Sequence, residues 1–332
     1  MLPGFNFGGS SPRDAARDPD GRGADADRLG IAFALDEPVS VMSPVVFASP
    51  HSGRLYPPAF LDGCTAAMLD LRRIEDAYVD RLLSEVHRAG APVIYGLVAR
   101  ACIDLNRSEA EMDPAMFVDP LPQWQGPRSP RVEAGLGCIP RVAFNGKPIY
   151  GRKLTRREAE ARIDGVYRPY HRALSALLKR AQAMFGQTWL IDCHSMPADA
   201  EPSSRSPDIV IGDRFGASCG SELADYVEGL FRQRGYSTAR NAPYAGGFST
   251  LTHGQPAEGR HALQIEMRRR LYLDEDRVEP TDGFLALRRD MTEIAGEINA
   301  FTRDIVGLSL GNTKKNAALD ASAAKGIGRK RP

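Results

Sequence analysis

The stretch Thr188-Trp189-Leu190-Ile191-Asp192-Cys193-His194-Ser195 decides how this chain is read. A short apolar run of this kind predicts a buried strand, and it leads directly to a histidine. A second run has the same form: Pro44-Val45-Val46-Phe47-Ala48-Ser49-Pro50-His51-Ser52-Gly53. A strand fixes its last residue well, and the carboxyl ends of parallel strands are where α/β proteins gather ligands. Two imidazoles delivered there from separate strands can share one metal ion. Cys193 alternates to the face opposite His194 and is expected in the core, not as a nucleophile.

Outward from these two runs, strands and helices alternate. After the strand at 44–49, a helix is predicted over about 65–89. It carries Met68, Leu69, Leu71, Ile74, Val79, Leu82, Leu83 and Val86 at helical spacing and is stopped by Gly90. A strand at 91–95 and an apolar segment at 97–104 come next. The Pro- and Gly-rich stretch 108–140 reads as a long loop of the kind that serves a site. A helix at 155–185 precedes the strand at 188–193. Strands at 208–212 and 261–267 then flank a helix at 218–234 and a turn at 244–248, and a helix at 282–306 closes the chain. This alternation predicts an α/β fold with a mixed, mostly parallel sheet covered by helices on both faces.

The chain has 332 residues, of which 42% are hydrophobic and 26% charged, with a net charge of +1. Residues 1–30 are expected to form a disordered head and 311–332 a disordered basic tail. The remainder, 31–310, is enough for one domain with a sizeable core. A near-neutral balance provides no global field for nucleic acid or an anionic membrane, and the basic end reads as a solvated tail. No apolar run approaches the roughly 20 residues of a membrane span. The N-terminus lacks the pattern of a secretory signal. Five scattered cysteines without a CxxC pair argue against a disulfide framework and a zinc knuckle, so a cytoplasmic location is expected.

His87 and His171 lie within amphipathic helices and read as structural. Catalytic zinc takes three His, Asp or Glu ligands and a water, so His51 and His194 need a carboxylate. Glu75 and Asp76 are the nearby candidates, and the residues alone leave both open. In Ile103-Asp104-Leu105-Asn106-Arg107, an Asn-Arg pair at the end of an apolar segment suits an anionic substrate terminus. A structural pair between Arg107 and Asp104 is the alternative. Glu266 lies inside the apolar strand Ala262-Leu263-Gln264-Ile265-Glu266-Met267, where a carboxylate is paired, a metal ligand or catalytic. Beside a metal-bound water it would be a general base with a raised pKa; a salt bridge to Arg268 or Arg269 is the competing expectation.

Taken in order, these stretches resemble the N-formylglutamate amidohydrolases, relatives of the zinc carboxypeptidases and aspartoacylases. The matching segments are Ser49–Gly53, Glu75–Asp80, Ile103–Arg107, Lys147–Tyr150, Tyr170-His171, Asp192–Ser195, Pro207–Ile209, Gly246-Gly247 and His261–Glu266, spread over about residues 40–300. The resemblance implies a single catalytic domain with a three-layer α/β/α phosphorylase/hydrolase-like fold. It implies one Zn2+ held by His51, Asp76 and His194, with spacing to Asp80 favouring Asp76 over Glu75. Glu266 takes the place of the catalytic glutamate, and Asn106 and Arg107 inherit the grip on the substrate α-carboxylate. The implied reaction cleaves an N-acyl amino acid, N-formyl-L-glutamate first among them, to formate and glutamate.

One departure stands out in Phe248-Ser249-Thr250-Leu251-Thr252-His253-Gly254, where Leu251 occupies the place of an expected arginine. His253, Arg54 and Arg152 are the candidates for its role. The departure leaves room for a carboxypeptidase-like or acylase activity on another amide. A ligand-binding relative without catalysis is the remaining alternative.

Overall fold

The computed structural model describes residues 32–38, 43–121, 129–198 and 206–326, with side chains as far as residue 307. Seven strands form one sheet: β1 (Phe33–Asp36), β2 (Val45–Ser49), β3 (Val93–Gly96), β4 (Thr188–Met196), β5 (Ile209–Gly212), β6 (Thr238–Arg240) and β7 (Arg260–Arg268). Their order across the sheet is β1-β3-β2-β4-β7-β5-β6. The central strands β3, β2, β4 and β7 are parallel. β5 runs antiparallel to β7 and β1 antiparallel to β3, while β6 is parallel to β5. The sheet is therefore mixed and mostly parallel, as the alternation predicts.

Side-chain alternation divides the core between the two faces. Val45, Phe47, Trp189, Ile191, Cys193, Ile265 and Met267 face one way, under helices Ser221–Gln233 and Gly283–Gly326. Those helices contribute Leu223, Val227, Phe231, Leu287, Met291, Ile294 and Ile298, spaced three or four residues apart within each helix. Val46, Ala48, Leu190 and Ala262 face the other way, against helix Arg168–Phe185 and the irregular chain between 98 and 154. The result is three layers, α/β/α. Cys193 lies in the first core, on the face opposite His194, and all five cysteines are free. Among the described residues, no helix is long and apolar enough to cross a membrane.

Two expectations need correction. The helix expected over 65–89 is three short pieces, Met68–Arg72, Val79–Leu82 and a 3-10 turn at Val86–Ala89. Tyr78 adopts a left-handed φ of 62°, and the Asp76 amide leaves the helical ladder to donate to the His51 carbonyl at 3.0 Å. Tertiary contact overrides the apolar periodicity here, and the break carries Asp76 toward His51. The closing helix is longer than 282–306, since its backbone runs to Gly326 through residues expected to lack structure. Its final turns are rich in Ala, the best helix former. The expected head, residues 1–30, and the last residues of the tail lie outside the described residues.

Candidate metal centre and active site

His51 follows the end of β2, on a loop whose Gly53 packs directly on the backbone of Leu97 and Val98, leaving no space for a Cβ. His194 lies in the last third of β4, on the same face as Asp192 two residues earlier. The two imidazole rings are 4.9 Å apart, centre to centre. Both are almost fully buried.

Asp76 closes the group. Its Oδ2 lies 2.9 Å from His194 Nδ1 and 3.4 Å from His51 Nδ1. One ligand atom from each of the three residues falls within 4.8 Å of the others. Each ring is held from behind by a buried carboxylate: His51 Nε2 meets Asp104 Oδ1 at 2.7 Å, and His194 Nε2 meets Asp192 Oδ2 at 3.0 Å. A carboxylate at Nε2 keeps the hydrogen there and turns the Nδ1 lone pair inward, the arrangement that orients metal-bound histidine. His51 Nδ1 is buried and makes no hydrogen bond. Of the two carboxylates left open, Asp76 lies in the group with the histidines, while Glu75 turns away to Tyr56.

This donor set fits a divalent cation. Asp76, Asp104, Asp192 and Glu266 are four buried carboxylates at one place. The guanidinium of Arg100 pairs with Asp104 at 2.7 Å, and that of Arg269 reaches Asp76 at 3.4 Å. Asp76, Asp104 and Asp192, with Glu266 beside them and two guanidinium groups at the edge, make an acidic, buried cluster of the kind that holds a divalent ion. Two imidazole nitrogens and a carboxylate oxygen are a donor set that divalent transition metals take.

The electrostatics are those of a charged, dry site. Burial pushes the Asp76 carboxyl upward, but the neighbouring His194 and His51 outweigh it and hold the group well below the usual carboxylate range. Asp104 is depressed in the same sense: burial opposes ionisation, while His51, Arg100 and Arg107 favour it more strongly. Glu266 behaves differently. Burial and the Asp76 charge raise its carboxyl to about 7, with His194 acting in the opposite sense. Its Oε1 accepts a hydrogen bond from Gln264 Nε2 at 2.8 Å. A carboxyl poised near neutrality beside the three ligands is suited to taking up and returning a proton. The expected alternative, a salt bridge from Arg269 to Glu266, is replaced by a pairing of Arg269 with Asp76 and Glu275.

The remaining sequence-derived residues scatter. Asn106 is buried behind His194, with Nδ2 3.1 Å from His194 Nε2 and Oδ1 accepting from the Ser249 amide at 2.8 Å. Its amide thus lies on the side of the ring away from Asp76. Arg107 is partly exposed and donates to the carbonyls of Asn106 and Leu136. Arg54 pairs with Asp80 and lies over the ring of Tyr78. Arg152 is on the surface, paired with Glu158 at 2.7 Å. His253 is half-buried at the end of the short helix Phe248–His253, and burial lowers its pKa to about 4. Leu251 is exposed.

Against this geometry, the model of the N-formylglutamate amidohydrolase family matches residues 43–273. The chain belongs to that family. All three ligand residues, their carboxylate partners and Glu266 fall inside the matched segment. The crystal structure of N-formylglutamate amidohydrolase from Ralstonia eutropha is 39% identical, with a TM-score of 0.78 over 82% of this chain and 99% of that one. N-formylglutamate deformylase from Pseudomonas aeruginosa is 29% identical over 75% of this chain and 91% of its own. The corresponding enzyme from Pseudomonas putida is 29% identical over 70% and 82%.

Sequence reading passed over four residues of this amidohydrolase-family site. Asp192 had a usable signal, since a residue two before His194 on a strand shares its face. Asp104 was weighed only as a partner of Arg107. Arg269 was weighed only as a salt-bridge partner of Glu266, and Arg100 carries no local mark.

Proposed function

We propose that this protein hydrolyses the formyl amide of N-formylglutamate, using a divalent metal ion, zinc, held by His51, Asp76 and His194. The observation that carries the reading is the convergence of His51 Nδ1, His194 Nδ1 and Asp76 Oδ2 beside a carboxyl, Glu266, raised to about 7. A metal ion bound there supplies Lewis acidity and lowers the pKa of a bound water.

The chain's own groups do the rest. Glu266 takes a proton from the attacking water and returns it to the departing amine nitrogen. Asp104 and Asp192 hold the two imidazoles in the ligand tautomer. Arg107 binds the substrate carboxylate with its guanidinium, and Asn106 supports that end of the site from behind His194. Holding both ends of the substrate turns binding into orientation of the scissile amide. The products are formate and glutamate.

The reading is tested by metal analysis of the purified protein and by formate release from N-formylglutamate. Turnover that survives both chelation and His194→Ala would refute it. A second reading, hydrolysis of a different N-acyl amino acid, is favoured by the exposed Leu251 in the place of an expected arginine. A panel of acyl-amino acids with acidic, neutral and apolar side chains separates the two by their kcat/KM ratios.

A further inference from the structure

The end of β7 holds a group that no step above uses. Arg269, three residues beyond Glu266, is almost wholly buried, and its guanidinium spreads over one small region. Nε donates to Ser195 Oγ at 3.1 Å. Nη1 donates to the Arg73 carbonyl at 2.8 Å and to Glu275 Oε2 at 3.4 Å. Nη2 donates to the Glu75 carbonyl at 2.6 Å and to Asp76 Oδ1 at 3.4 Å. The Ser195 hydroxyl, oriented by Arg269, itself donates to Asp76 Oδ1 at 3.2 Å.

Burying a guanidinium is costly unless its donors are engaged, and here each of its three nitrogens finds an acceptor. Apart from Glu275 Oε2, the other four of the five acceptors share one destination. Two are carbonyls of the turn that replaces the expected long helix, one is the far oxygen of Asp76, and one is the hydroxyl that bonds that same oxygen. The turn has no regular secondary structure to hold it, because the short helix before it ends at Arg72 and the next begins at Val79. Tyr272, three residues further on, donates to the Ala77 carbonyl at 3.0 Å and pins the same segment from the same side.

We propose that Arg269 is the positioning residue of the metal centre. It fixes the 73–76 turn through its carbonyls and occupies Asp76 Oδ1 directly and through Ser195, so that Oδ2 is turned to the ion. The inference rests on the metal reading above. A planar guanidinium is required because a single ammonium cannot meet the two carbonyls, the hydroxyl and the carboxylate together. Because Arg269 opens the 3-10 turn directly after β7, which carries Glu266, the base and the clamp on the third ligand are set by adjoining elements.

The test uses full-length protein stripped of metal by chelation, titrated with zinc against a chromophoric chelator and with cobalt(II) for its visible spectrum. Arg269→Met is expected to weaken zinc binding by about 10–100-fold and to change the cobalt spectrum, since removal of an outer-shell partner has effects of this size. Arg269→Lys, which keeps the charge and loses the fork, is expected to recover only part of the affinity. Ser195→Ala leaves the carbonyl contacts in place and is expected to lose about tenfold, at the lower end of that range. Zinc affinity within twofold of the parent and an unchanged cobalt spectrum in Arg269→Met would overturn the proposal. If that variant does not fold, the same result in Ser195→Ala overturns it. A parent protein that binds no zinc, or binds it equally well as His194→Ala, removes the metal reading itself and the proposal with it.

Discussion

His194 and Glu266 are register partners on the adjacent parallel strands β4 and β7, so a metal ligand and the proposed base leave the same face of the sheet side by side. Neighbouring strands lie about 4.8 Å apart, and the ladder between these two is nine residues long. The separation of the two groups is therefore a property of the sheet's hydrogen bonding. One step back along each strand, Asp192 and Gln264 are partners as well, and each bonds the functional residue two positions ahead of it on its own strand.

Glu266→Gln should remove the base without disturbing the ligands. Turnover is expected to fall by about 10²–10⁴-fold, the usual contribution of general acid–base catalysis. Zinc stoichiometry by elemental analysis should stay unchanged. A variant that retains parental kcat would reject Glu266 as the base.

Zinc should stabilise the fold, since the ligand group forms only when β2, β4 and the 73–76 turn are assembled. At a free zinc concentration 1,000 times Kd the gain is about 4 kcal/mol, visible as a rise in Tm. His194→Ala should abolish the rise. Equal shifts in the parent and the variant would mean that zinc acts elsewhere.

Asp104→Asn and Asp192→Asn each keep a hydrogen-bond acceptor behind an imidazole while removing its charge. Zinc affinity is expected to drop by about 10–100-fold in each. Competition titration of metal-free protein measures it, and undiminished affinity in both would show that the carboxylates do not orient the rings.

His171 and His253 are held neutral, with burial as the largest cause, and both have a pKa lowered to about 4. The unfolded chain, with histidines near 6.5, binds more protons than the folded chain between those values. Stability therefore rises with pH through that window and is lost as pH falls from about 6.5 to about 4. Urea unfolding at pH 4.5 and 7.5 should show a smaller difference for His253→Gln than for the parent. An identical difference would place the pH sensitivity in other groups.

Gly247 lies against the Asn106 amide, where a Cβ would overlap the side chain. Gly247→Ala is expected to cost about 1–3 kcal/mol, as overpacking does. It should also weaken zinc binding by disturbing the residue behind His194. Denaturant titration and zinc competition on one preparation check both effects.

The parts of this protein that were legible in its sequence are those set by local pattern. β4 and β7 read as largely apolar runs, as doubly covered parallel strands do, and His194 and Glu266 stood out against that background. The segment around Asp76 was misread because its apolar spacing is helical while its backbone is not. Hydrogen bonds to His51 and Arg269 outweigh the propensity of a few residues. Arg100 escaped notice, and Arg269 was weighed only as a salt-bridge partner of Glu266, because an arginine's role depends on what lies across the fold. His253, expected as one candidate substrate contact, ends the short helix Phe248–His253 and is half-buried.

The broken segment between Met68 and Ala89 gives the centre two kinds of wall. His194 and Glu266 stand on a ladder that opens only when the sheet itself unfolds, whereas Asp76 stands on a turn held by side-chain contacts from the end of β7. Each wall therefore answers to a different kind of substitution: the strand side to changes in the sheet's ladder and its two cores, the turn side to changes in Arg269, Ser195 and Tyr272.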